Sequence, residues 1–226
     1  MDTNNPAIAV SILAFLGTAL AAAIISLYAA WRAIRDDTVR AGRALGAVCL
    51  LLAAYGIALG AGGIFGRERI VPVGGEKYFC EIDCHLAYSV PRLEAAGTDG
   101  ATGTTLWLVT VQTRFDQTTV SPRRPLSSPA WPAPRRVALV DATGREFTPL
   151  PDDAAEATPL LAGSIPISQP LAPGEAYQSR FVFRLPSDAV PSRLLLQDDI
   201  FINQLLIGNE RSPFHRPVYL ALPMKG

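Results

Sequence analysis

The chain has 226 residues, 20 basic and 20 acidic side chains, and 49% hydrophobic residues. A net charge of zero removes the electrostatic case for nucleic acid, and no arginine–aromatic interleaving of the kind that stacks bases is present. The apolar residues are concentrated near the N-terminus, and that concentration sets the class of the molecule.

Ala7 to Trp31 and Ala44 to Gly66 contain no charged residue over 25 and 23 positions. At 1.5 Å per residue, helices of these lengths reach roughly 37 and 34 Å, enough to cross a hydrocarbon core of about 30 Å. A secretory leader would need a basic opening, but Met1 to Pro6 carries only Asp2. Tyr28 and Trp31 end the first span where an aromatic belt sits, and Phe65 does so for the second. The expected organisation is a transmembrane hairpin over 1–66, with spans of about 7–31 and 44–66, followed by one β domain over 67–226.

Between the spans lie Arg32, Arg35, Arg40 and Arg43 against Asp36 and Asp37, whereas the N-terminal tail holds no Lys or Arg. The positive-inside rule expects the 32–43 loop in the cytoplasm and both termini outside. The C-terminal domain is then periplasmic or extracellular, on a cell (inner) membrane, close to the lipid surface. Gly56 and Gly60 have GxxxG spacing, which lets another helix approach closely. Their partner is either the first span, through Gly17 and Ala21, or another subunit. Cys49 lies deep in the second span and reads as an inert thiol facing lipid or helix.

Beyond Arg67 the patterning changes to period two. Tyr78, Cys80, Ile82, Cys84, Leu86, Tyr88 and Val90 alternate with polar positions, as in a half-buried strand. A regular strand would hold the Cα atoms of Cys80 and Cys84 some 13 Å apart, whereas a disulfide needs roughly 4.4–6.8 Å. Continuous strand and local disulfide therefore exclude each other, and a bulge or turn is needed for pairing. The oxidising side of a membrane favours a disulfide. Two separate core thiols are the second reading, and a soft-ligand copper or zinc site the third. That site would join Cys80, Cys84 and His85 to His215 and Met224.

Leu106 to Phe115 forms the next expected strand. Val137–Val140 and Arg145–Thr148 flank Asp141-Ala-Thr-Gly144 as a hairpin. Tyr177–Leu185, Arg193–Leu196 and Val218–Leu222 complete the strands, with Phe201–Ile207 either strand or helical turn. Ser121 to Arg136 is a proline-rich insertion with arginine pairs, expected as a solvated loop that could meet anionic headgroups. Roughly seven strands with Pro/Gly punctuation predict an antiparallel sandwich.

The order Phe-Thr-Pro-Leu (Phe147 to Leu150), then PLAPGEAYQSRFVFRLPSD (Pro170 to Asp188), resembles bacterial telokin-like, immunoglobulin-like domains of unknown function. The resemblance covers about half of the soluble part. It implies an extracytoplasmic immunoglobulin-like β-sandwich and transfers no catalytic residue. The segment Phe201 to His215 lies outside that pattern. Two spans, a β domain and a C-x3-C motif are also similar in arrangement to subunit II of the haem–copper oxidases. There, however, the motif lies near the domain's C-terminus and a histidine follows the second cysteine by four, where this chain has Tyr88.

No GxSxG, HExxH, P-loop or GxGxxG occurs, and two histidines leave little for a catalytic triad. The sequence thus predicts a non-enzymatic binding or scaffolding module of a membrane complex. Its expected partners are lipid and a membrane protein or a second copy, not nucleic acid. No cofactor is expected; the alternative is the copper or zinc relay.

Overall fold

The computed structural model describes residues 6–79, 85–99, 103–119, 128–132 and 135–223. Two helices come first, α1 (Pro6–Ile34) and α2 (Thr38–Ile64), both long and apolar enough to span a membrane. Their joint is built from acidic residues. Asp36 takes a left-handed conformation (φ 58°) and ends α1, while the backbone N–H of Asp37 donates to the Arg32 carbonyl at 3.1 Å. Asp37 then caps α2, its carboxylate accepting from the Arg40 backbone N–H at 3.2 Å and the Arg40 guanidinium at 2.9 Å. Arg32 and Arg35 lie over the Trp31 ring at 4.9 and 4.6 Å, which gathers the loop cations beside the aromatic end of α1.

Among the described residues nine strands follow: β1 (Arg69–Val71), β2 (Lys77–Phe79), β3 (Leu86–Asp99), β4 (Thr104–Phe115), β5 (Arg135–Asp141), β6 (Glu146–Phe147), β7 (Ala176–Pro186), β8 (Pro191–Asp198) and β9 (Val218–Ala221). They form two sheets, ordered β1-β9-β8-β5-β6 and β2-β3-β4-β7. All pairings are antiparallel except β1 with β9. One apolar cluster draws on both sheets, with Tyr88, Phe115 and Phe183 from one and Leu139, Leu194, Leu196 and Leu220 from the other. Lys77, buried on β2, donates to the carbonyls of Leu196 (2.5 Å) and Val218 (2.9 Å) on the opposite sheet. Pro91, which has no N–H, sits at a register shift between Ser89 and Arg92.

The expected 137–148 hairpin is present: Leu139 pairs with Phe147, and the Asp141 carboxylate collects the backbone N–H groups of Thr143 and Arg145, both at 2.9 Å. The Pro173-Gly174 turn also has a clear origin. Gly174 has φ 86° and the Gln117 side chain occupies the space of its missing Cβ, while Glu175 accepts the Ala172 N–H at 2.7 Å. The continuous strand expected from Tyr78 to Val90 is not. Phe79 pairs with Leu86 and Lys77 with Tyr88, so the chain reverses between β2 and β3. Alternation in the sequence thus runs on past the end of β2, where the extended chain stops. Cys80 and Cys84 both lie outside the described residues.

By its contacts the chain divides into two compact units. One comprises 1–67 with Phe201–Pro217, and the other Glu68–Ile200 with Val218–Gly226. Segment 201–217 therefore groups with the helices. The chain passes between the units three times, and its two entries to the β unit run side by side, since Arg69 pairs in parallel with Val218.

Candidate functional site

The helical unit is organised by what packs on α2. Near the loop the buried small residues are Ala29, Ala41 and Ala44. Farther along, Phe15 meets Tyr55 with ring centroids 6.3 Å apart. A Cβ added at Gly17, Gly56 or Gly60 meets nothing within 4 Å. The missing Cβ atoms of Gly17, Gly56 and Gly60 thus face open space. Cys49 is exposed on α2, like the apolar flank that includes Leu50 and Ile57.

The opposite situation holds at the end of α2. A Cβ at Gly62 would stand 2.8 Å from the Ile207 side chain. At Gly63 it would overlap the Pro213 carbonyl, and at Gly66 the His215 ring. Segment 201–217 occupies the volume these three glycines leave. It opens with a 3-10 turn (Phe201–Leu205) and continues as successive turns, including Asn209 N–H to the Leu206 carbonyl (3.2 Å) and His215 N–H to that of Ser212 (3.1 Å). Gly208 (φ 75°) and Phe214 (φ 66°) both take the left-handed conformation. For an aromatic residue this costs about 1–3 kcal/mol and persists only where surrounding contacts impose it.

Two hydroxyls from the helices hold the segment. Tyr55 donates to the Leu205 carbonyl at 2.6 Å and Ser11 to the Ile207 carbonyl at 3.0 Å. Ser11, Asn203, Leu206 and Ser212 are buried, whereas Phe201, Ile202 and Phe214 are exposed. Sequence reasoning found none of the contacts of 201–215. The available signal was weak: Ser11 and Tyr55 are two of a handful of hydroxyl side chains in the apolar runs, which also hold Thr18, Ser26 and Tyr28, and glycines bunch at the end of the second run.

The other predicted site residues are distributed as follows. His85 is buried in the β unit, stacked on Phe115 with centroids 5.3 Å apart and planes 12° from parallel. His215 belongs to the helical unit, where its Nδ1 donates to the Arg216 carbonyl at 2.7 Å. Cys80, Cys84 and Met224 lie outside the described residues. Among the described residues no group of three or more His, Cys, Asp or Glu is arranged to hold a metal ion.

Next to the β2–β3 reversal stands a charged network that the sequence did not flag. Arg114 grips Glu76 with two hydrogen bonds (2.9 and 2.7 Å) and reaches Asp116 at 3.2 Å. The Tyr78 hydroxyl lies 2.9 Å from Glu76 and 2.7 Å from Asp116. The hydrogen bond from Arg114 lowers the Glu76 pKa. Burial pushes Asp116 upward, but donors on Tyr78, Thr118 and Arg114 outweigh it and leave its carboxyl well below the usual range. Burial, followed by the two carboxylates, raises the Tyr78 phenol. Every member has a partner within the network, which suits it to clamping β2 against β4.

No family model matches this chain, and no curated protein does. A crystal structure of a conserved hypothetical protein from Bacillus anthracis is similar to part of it, with 15% identity and a TM-score of 0.34. The similarity covers 54% of this chain and 90% of that one. With so low a score, the fold rests on the pairings and packing given above.

Proposed function

We propose that the protein is a membrane-anchored, non-enzymatic binding or scaffolding module. In this reading the hairpin spans a cell membrane, the 32–43 loop faces the cytoplasm, and an immunoglobulin-like sandwich stands on the other side. The orientation is supported by Arg32, Arg35, Arg40 and Arg43 in the loop, set against an N-terminal tail without basic residues. Two sheets sharing one apolar cluster support the sandwich.

The observation that carries the reading is the exposure of the helices. Only 6% and 11% of their most apolar stretches are buried by the rest of the chain. Lipid or partner helices must cover that surface, and the open Gly56–Gly60 face offers close approach to a neighbour. A module whose membrane surface is largely unused by its own chain suits assembly with other membrane proteins.

The test is gentle detergent extraction of the full chain, followed by identification of co-purifying subunits and metal analysis. A stoichiometric membrane partner, or a second copy, supports the proposal. Release from membranes without detergent overturns it. Stoichiometric copper or zinc that is lost on His215→Ala would replace it with the metal relay.

A further inference from the structure

We propose that Phe201–His215 is a re-entrant membrane element, and that its partner is the acyl region of the outer half of the bilayer. The inference rests on the reading of α1 and α2 as spans and adds a third membrane-embedded piece to them.

Depth is set by the residues the segment touches. Ser11 and Tyr55 both lie within the apolar spans, and Tyr55 precedes Ile64 by nine residues, about 14 Å of helix. The contacts are ordered along α2: Leu205 meets Tyr55, Ile207 meets Gly62, Pro213 meets Gly63 and His215 meets Gly66. From Leu205 to His215 the chain climbs along α2 toward its C-terminal end. The segment's two charged residues, Glu210 and Arg211, fall between the Gly62 and Gly63 contacts, at the end of α2 where headgroups lie.

Polarity follows the same logic. Irregular backbone at membrane depth needs protein partners for its carbonyls, because lipid supplies none. The carbonyls of Leu205 and Ile207 receive theirs from Tyr55 and Ser11. The segment also exposes more aromatic surface than a loop in water would: Phe201 is 70% and Phe214 75% exposed, while Asn203 and Ser212 are buried alongside Leu206. Phe214 stands between Pro213 and His215, which meet Gly63 and Gly66, and so lies beside Ile64 and Phe65, themselves 68% and 82% exposed. Continuity with a lipid-facing surface selects lipid as the occupant over a soluble partner.

The full chain in phosphatidylcholine–phosphatidylglycerol vesicles provides the test. Phe201, Phe214, Leu50 and Trp131 are replaced one at a time by the photo-crosslinker p-benzoylphenylalanine, and lipid adducts are measured by mass spectrometry. Leu50 reports the span, and Trp131, exposed in the β unit, gives the background. The expected result is adduct yield at 201 and 214 comparable with that at 50, with loss of the first two but not the third on Gly63→Val. Adducts at 50 with only background at 201 and 214 would overturn the re-entrant element and leave the spans standing. Background at all four positions would overturn the spans and this proposal together. Adducts at 201 and 214 that survive Gly63→Val would show that docking on α2 is not what holds the segment, and would overturn the geometry.

Discussion

The body and the C-terminal end of the second helix use glycine in opposite ways. At Gly42, Gly46, Gly56 and Gly60 the missing Cβ leaves open space, whereas at Gly62, Gly63 and the following Gly66 another stretch of chain fills it. The comparison teaches that small residues in a span permit a close approach without saying that one occurs. What decides is whether polar backbone elsewhere needs a dry, partnered place to sit. Segment 201–217 finds partners for the Leu205 and Ile207 carbonyls on Tyr55 and Ser11, and the C-terminal end of α2 gives it room.

The largest expected effect tests this contrast directly. Gly63→Val drives a branched side chain into the Pro213 carbonyl and should destabilise the docked segment by about 3 kcal/mol. Trypsin cleavage after Arg211 and thermal unfolding in detergent would both report it. Gly60→Ala should change the unfolding of the isolated chain by less than about 0.5 kcal/mol. Equal effects at the two positions would erase the distinction between the two halves.

A second contrast sets the helical unit against the β unit. The former holds its segment through shape and neutral hydroxyls, the latter clamps β2 and β4 with Glu76, Arg114 and Asp116. Both carboxyl pKa values are lowered in the fold. Their stabilisation is therefore fully present above the ordinary carboxylate range near pH 4 and declines as pH falls through and below it. Acid should loosen the β unit before the docked segment, followed by near-UV circular dichroism and by trypsin sensitivity after acid exposure. Asp116→Asn should cost about 2 kcal/mol at neutral pH, from hydrogen bonds to a charged group, and flatten the acid dependence.

Smaller changes sharpen the account of the segment itself. Tyr55→Phe leaves the Leu205 carbonyl without its donor and should cost about 1 kcal/mol, with Ser11→Ala nearer 0.6 kcal/mol. Asp37→Ala removes the cap of α2 and should cost about 1 kcal/mol, without altering docking at the far end. Hydrogen exchange at 205–209 separates these, since only the first two should raise it.

Much of the fold was legible because its signals are local. Charge-free runs announce the spans, Asp141 and Gly144 announce their hairpin, and the pattern Tyr177 to Leu185 survives intact as β7. The stretch from Tyr78 to Val90 misled because alternation records which face a residue takes only while the chain stays extended, and it reverses between Phe79 and Leu86. The linker after Gly66 hides β1, whose three residues become a strand only through pairing with β9, some 150 positions away. Segment 201–215 had no readable period at all. Its turns are stabilised by glycines and hydroxyls distant in sequence, so neither helix nor strand patterning could reveal it. His85 stacks on Phe115, a contact between residues 30 apart that no local pattern marks.

Segment 201–217 leaves the β unit to pack on the two helices, and proximity labelling tests that most directly. Ser11→Cys and Ile207→Cys together, treated in native membranes with a short bifunctional thiol reagent, should give a crosslinked peptide pair joining the first helix to the segment, lost on Gly63→Val. Ile207→Cys that instead reacts fully with a membrane-impermeant maleimide, and never links to position 11, would contradict the account.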